Sequence, residues 1–256
     1  MSYFRISIKK IFHYRWHLVF SIVSIFLDTM VLIFLWKYIY RDNKEMEQFM
    51  IVYAILSGLI SMVYSDRCSY NIADKVYKGT FAVDLLRPIH FLKLNFMEVA
   101  GEIAANFLIK GLPLMLLWFI LYWNLIRTIH PIYACMGILA IGLAFLFYMM
   151  LYTTLGTLSF WFYEIWPFNR LMNDTIRFLS GAVIPVFLFP SWLESAIQLL
   201  PFRYLYSFPI ELILRGSQCE QIGRNFMVLI VWDLIIGGVM LTVYRRALFK
   251  CVVQGG

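Results

Sequence analysis

The sequence predicts an all-α membrane protein: six transmembrane helices, an N-terminal interfacial helix, and re-entrant helices between spans five and six. Three observations carry that reading. Of 256 residues 62% are apolar and 14% charged, against about 45–50% and 25% in a soluble domain. Nearly charge-free runs long enough to cross a bilayer's hydrocarbon, which takes about 20 residues, recur along the chain. Lys and Arg flank those runs instead of forming a solvated basic face, so the net charge of +7 reads as membrane topology and not as a nucleic-acid surface.

The elements follow in order. A basic tail, Arg5 to Arg15, precedes the first apolar run and suits a surface helix. Residues 18–36 form span one; the run is too long for a cleaved signal peptide and stays as an anchor. Its one charge is Asp28, and Trp16 and Trp36 bracket it as interfacial rings. After a polar turn, span two is placed at 49–64, short enough to need tilt or local thinning. Span three is placed at 103–126, interrupted only by Lys110. No charge occurs from Pro131 to Tyr163, too few residues for two crossings, so 131–160 is read as one long helix, span four. Span five, 168–189, carries Arg170, Asp174 and Arg177 in its first turns and must kink or end early at Pro185 or Pro190. Residues 191–223 are apolar but punctuated by Pro201 and Pro209, a pattern expected of short helices dipping back toward the bilayer. Span six is placed at 226–244, with Asp233 inside it and Arg245 and Arg246 behind it. The whole of 1–256 is thus one transmembrane domain.

Orientation follows the asymmetry of Lys and Arg in short loops. The first tail, the loop 65–98, Arg170 and the last tail hold thirteen of them, and the opposite loops hold seven. Both termini and the loop 65–98 are therefore expected in the cytoplasm, and 191–223 outside.

No catalytic constellation and no metal site is expected. His13 and His17 share a helix face but suit interfacial packing, His90 and His130 fall on opposite sides, and the four cysteines form no C-x-x-C pair. Hydrolase and phosphate-loop motifs are missing. The informative stretch is the loop 65–98. Ile72 and Val76 are spaced for one helix face, Gly79 can end that helix, Thr80 can begin a second over Phe81–Leu86, and Arg87-Pro88 stops it. This makes a charged amphipathic elbow, resting on anionic lipid or docking a soluble partner. Asp74 and Asp84 among the bases favour a protein.

The run Lys78-Gly79-Thr80-Phe81-Ala82-Val83-Asp84-Leu85-Leu86-Arg87-Pro88 carries a resemblance, together with Phe189-Pro190-Ser191-Trp192-Leu193, Leu200-Pro201-Phe202 and Ser207-Phe208-Pro209-Ile210. In their order and topological positions these segments resemble a bacterial type-2 ATP-binding-cassette (ABC) exporter permease over nearly the whole chain. The resemblance implies a plasma-membrane subunit without chemistry of its own. Its coupling helix would sit in a cleft of a separate cytoplasmic ATPase that binds ATP and magnesium, and a second permease, identical or homologous, would complete the pore. It places the ATPase contact on Asp74, Lys75, Lys78, Asp84, Leu85, Leu86, Arg87 and Pro88. It assigns Pro190, Trp192, Pro201, Phe202 and Pro209 to the re-entrant segment.

Charges within the lipid depth must face protein or water, since each costs about 2.5–3.5 kcal/mol at mid-helix. Asp28, Lys110 and Asp233 are therefore candidates for interhelix contacts or for the translocation path. Lys110 lies about 10 Å from the inner face by helical rise, which is compatible with an Asp28–Lys110 pair, while Asp233 falls nearer the outer face. Arg170, Asp174 and Arg177 have the spacing of a helix charge ladder. Glu98 and Glu102 need water or a basic neighbour such as Lys93. Phe145, Phe147, Tyr148 and Tyr152 suit bundle packing more than a cavity lining. Two other function classes stay open: an ion-coupled carrier or channel using Asp28, Lys110 and Asp233, and a membrane-embedded lipid-modifying enzyme, which the scattered ionisable residues disfavour.

Overall fold

A computed structural model describes residues 15–86, 90–218 and 221–250, all in helices and their connections, with no strand among them. The expected surface helix around Arg5, Lys9, Lys10 and His13 lies outside the described residues, as do Arg87, Pro88, Cys219 and Cys251.

Helix α1 (Arg15–Ile39) and α2 (Lys44–Ser61) form an antiparallel hairpin. Asn43 caps α2 by accepting the Met46 N–H at 3.1 Å, and Glu45 and Glu47 in its first turn suit the helix dipole. Those groups shift the helix toward the turn: α2 starts five residues before the expected span and ends three residues earlier. Trp36 is buried in the α1–α2 seam with Met50 and Trp118, so it packs as core and not as an interfacial ring.

The next segment departs most from expectation. Within 65–98, α3 (Arg67–Tyr77) and α4 (Phe81–Leu85) form the elbow, but α5 (Phe91–Asn106) is already the start of a 31-residue apolar rod, Phe91–Leu121. Span three begins twelve residues earlier than its hydropathy suggests, because Glu98 and Glu102 are neutralised by basic side chains of α3. The rod is broken by a π-turn, Phe107–Gly111, in which the Leu112 N–H reaches back to the Phe107 carbonyl. Pro113, on the first turn of α6 (Leu112–Leu121), donates no N–H and crowds the preceding turn, the ordinary cause of such a widening. The rod ends at Leu121, and residues 123–126 make a separate turn, α7 (Trp123–Ile126), instead of prolonging the span.

Helix α8 (Pro131–Thr157), extended by a 3₁₀ turn to Phe160, is the single long helix anticipated for 131–160. Helix α9 (Trp166–Leu179) stops before both prolines. At ~1.5 Å per residue its length is about 21 Å, short of a full crossing. Gly181 follows with φ +84, and a Cβ there would meet the Ser207 side chain at 2.8 Å, so the chain turns where only glycine fits. Helices α10 (Ser191–Leu199) and α11 (Ser207–Arg215), joined by a 3₁₀ turn at Pro201–Tyr204, precede the last helix, α12 (Ile222–Leu248).

Among the described residues, four helical stretches are long and apolar enough to cross a membrane: Val19–Ile39, Phe91–Leu121, Pro131–Phe160 and Ile222–Leu248. They expose large apolar side chains, among them Phe20, Phe34, Ile120, Ile138 and Leu234, which water does not tolerate in such number and lipid does. The core runs along α8. Ala140 and Leu229 meet near one end of the α8–α12 pair, Met150 and Gly237 further along, so these two helices run parallel. The elbow closes one end of the bundle and α10–α11 the other.

Candidate functional site

The elbow is built on α8. Ile72, Cys68, Ser69 and Ala73 form the buried face of α3. Gly156 of α8 receives them so closely that a Cβ on it would lie 2.7 Å from the Ser69 Cα. Lys78 and Gly79, the latter at φ +68, end α3 as its sequence indicates, and Thr80 opens α4. Phe81 then packs edge-on against Phe91 and Phe160, in a cluster with Ile72, Met240 and Tyr244. The elbow thereby touches the ends of three long helices.

Its charges divide into two sets. Lys75 is turned inward: Nζ lies 3.0 Å from Asp84 and 3.3 Å from Glu98, over the Phe91 ring, and the three side chains are 19%, 8% and 23% exposed. That arrangement fastens α3, α4 and α5 together, and removing the cation would leave two carboxylates buried without it. Lys75 and Asp84 are thus internal. Asp74 and Lys78 pair at 2.8 Å on the exposed face, where such a bond adds little stability. Arg67 holds Glu102 at 2.6 Å, so the partners of both glutamates are elbow bases and not Lys93. Beside those charges α4 presents an apolar rim: Val83 and Leu85 are exposed, and Leu86 is 87% exposed. Beside it, Tyr70, Asp74, Tyr77, Glu164 and Trp166 wall a groove of about 440 Å³. Burial raises the Tyr77 phenol above its usual range and pushes the Cys68 thiol up to about 12.

A polar chain leads inward from the elbow. Asp66, just before α3, accepts the Asn173 amide of α9 at 3.0 Å, and Asn173 in turn accepts the Tyr152 hydroxyl of α8. Tyr152 stacks on Tyr148 and Tyr148 on Tyr64, whose hydroxyl donates to the Leu205 carbonyl at 2.7 Å. Sequence separations of up to 141 residues hide this line from any reading of neighbours. Tyr148 and Tyr152 are packed side chains, in keeping with their reading as bundle residues, though Tyr148 also borders a cavity.

That cavity, about 320 Å³, lies between α1, α2, α8 and α9 and is lined by Asp28, Ser57, Tyr64, Tyr148, Asn173 and Arg177. Asp28 and Arg177 stand on different walls, and among the described residues Asp28 forms no ion pair. Lys110 does not reach it: its Nζ donates to Ser21 at 3.0 Å, seven residues away along α1, roughly 10 Å of rise. Asp233 is half-buried on α12, apart from both. The three intramembrane charges are therefore not one constellation. Of the charge ladder on α9, the Arg170–Asp174 bond is present at 3.1 Å, while Arg177 turns to the cavity.

At the other end Pro190 precedes α10, Trp192 is exposed on it, and Pro201 and Phe202 form the tight turn, with Phe202 against the core. Pro209 is buried in α11, whose residues Ser207–Ile213 are all buried. Arg203 and Glu211 pair there at 3.2 Å, a contact with no signal in the sequence beyond eight residues' spacing.

Residues 16–255 match the family model described as ABC-2 family transporter protein. The chain belongs to that family. No curated protein and no solved structure matches it. As an ABC-2 protein it is a multi-pass membrane permease subunit of an ABC transporter, the transmembrane component and not itself an ATPase. Permeases of the ABC-2 family generally pair with cytoplasmic ABC ATPases.

Proposed function

We propose that this permease is the membrane half of an ATP-driven exporter in a bacterial plasma membrane. Both termini face the cytoplasm, and a separate ATPase, which holds ATP and magnesium, grips the elbow. The carrying observation is the outward rim Val83, Leu85 and Leu86 on an elbow whose Lys75–Asp84–Glu98 charges are spent internally. An apolar rim on a rigid mount suits a protein cleft better than solvent. Closure of the ATP-bound partners would press on α3 and, through Asp66, Asn173 and Tyr152, bias how α8 and α9 enclose the Asp28–Arg177 cavity. Shifting a two-state population from 1:99 to 99:1 takes about 5.5 kcal/mol of differential interaction. Six crossings remain the proposed count, with α2 and α9 as short spans and α10–α11 as the re-entrant pair. A second permease, identical or homologous, would close the path.

Affinity purification from native membranes tests this. A soluble ATPase co-eluting in stoichiometric amount is expected. Transport by vesicles that contain this chain alone, without ATP, would overturn the proposal and favour ion-coupled carriage, the reading that an unpaired Asp28 in a cavity wall would then serve.

A further inference from the structure

At the end of the bundle opposite the elbow lies a cavity of about 340 Å³, distinct from the Asp28 cavity and from the elbow. Its walls come from α10, the Pro201–Tyr204 turn, the end of α11 and the start of α12. Three arginines line it, Arg203, Arg215 and Arg224, with two glutamates, Glu194 and Glu211.

The acids neutralise only one of the bases. Glu211 is taken by Arg203 and by the Ser207 hydroxyl, deep in the wall. Glu194 accepts the Gln198 amide at 3.4 Å. Among the described residues Arg215 meets no carboxylate: its guanidinium lies over the Phe187 ring at 4.3 Å and the Phe49 ring at 5.2 Å. Arg224 donates to the Gln221 side chain at 2.6 Å and makes no ion pair among the described residues. The Nε of Arg203 is buried without an acceptor. Stacking fixes the plane of Arg215 and leaves its N–H edge free to donate, which is how guanidinium groups present a fork to an oxyanion. A surplus of donors and of positive charge in a partly enclosed site is satisfied by an anion with several acceptor oxygens. The remaining wall is mixed, with Leu199 and Val228 beside amides.

We propose that this cavity binds a phosphate-type oxyanion, held by Arg215 and Arg224 with Arg203 behind them. The position suits the headgroup of an anionic lipid. Trp192, Leu199 and Met227, all exposed apolar residues, stand on the helices that form the mouth. Val228, in the floor, is six residues from the start of a helix long enough to cross the bilayer. A soluble phosphate offers the same chemistry, and the experiment separates the two sources. The proposal is independent of ATPase docking, so either can fail alone.

The full chain is purified in detergent and probed in two arms. In native mass spectrometry with phosphatidylglycerol and phosphatidylcholine supplied equally, the natural protein is expected to retain the anionic lipid with about tenfold preference, the scale of losing one charge-assisted contact. Arg215→Gln with Arg224→Gln abolishes that preference, and the Lys substitutions preserve most of it. If the lipid arm shows no preference but pyrophosphate raises the melting temperature, and Arg224→Gln removes the rise, the oxyanion is a soluble phosphate. Arg224 is exposed, so Arg224→Gln tests the site even if the double variant does not fold. No discrimination in either arm, or discrimination unchanged by Arg224→Gln, overturns the proposal.

Discussion

Replacing Leu86 by aspartate separates the elbow's outward role from its internal one. Leu86 is 87% exposed, so the permease loses almost no packing, and its own stability should move by no more than about 0.5 kcal/mol. A partner that covers the side chain loses nearly the whole transfer energy of a buried leucine, about 1.5–3 kcal/mol. It must also desolvate a carboxylate at the contact, at a further 1–3 kcal/mol or so. A loss of about 3 kcal/mol is a conservative total, equivalent to roughly a 100-fold weaker complex. The assay is titration of the co-purifying ATPase against the permease in nanodiscs, read by affinity and by stimulation of ATP hydrolysis. Leu86→Met should behave as the natural protein. If Leu86→Asp changes affinity less than about threefold while elution and helix content stay normal, the rim is not the docking surface and the reasoning from its exposure fails.

Four further outcomes are expected. Gly156→Val forces a side chain into the Ser69 backbone and should lower stability by about 1–3 kcal/mol, seen as a reduced melting temperature, whereas the same change at Gly142, which faces open space, should be nearly silent. Asn173→Ala strands Asp66 and Tyr152 and should lower transport per ATP hydrolysed without reducing membrane insertion, measured in proteoliposomes with the partner present. The charge swap of Asp28→Lys with Lys110→Asp should not rescue either single variant, because Lys110 is held by Ser21; rescue in a transport assay would refute that placement. With Cys219 and Cys251 replaced by serine, maleimide at pH 7–8 should label exposed Cys135 and spare Cys68, whose thiol is pushed up to about 12 by burial. The same raised pKa means that the folded state keeps its proton where the unfolded chain has lost it. The contribution of Cys68 to stability is therefore full below about pH 9 and declines as pH rises toward 12, in a denaturation series compared with Cys68→Ser.

The elbow was legible because its signals are local. The Ile72/Val76 spacing, Gly79 at the end of α3 and Thr80 before α4 each act within one or two turns, and the helices form where those residues place them. The long charge-free run after Pro131 was equally plain, since a helix is the ready way to carry 27 uncharged, mostly apolar residues between polar ends. Hydropathy misjudged span three for the opposite reason. Glu98 and Glu102 look like loop residues until Lys75 and Arg67 are brought beside them by the fold. The role of Lys75 was hidden in the same way: its spacing marks a helix and a charge, but which side it faces depends on Asp84 and Glu98 together. Asn173 and Tyr64 carried no signal, because their partners lie far off in the chain, and the spacing of Arg177 indicated a helix ladder and not the cavity wall it joins.

At the contact of Gly156 with the Ser69 backbone no side chain of α8 stands between the two helices to act as a cushion. On the proposed docking, a thrust arriving at the elbow would act on the α8 backbone directly and tilt the 27-residue rod behind it as a lever, carrying Tyr148 at the chamber wall along with it.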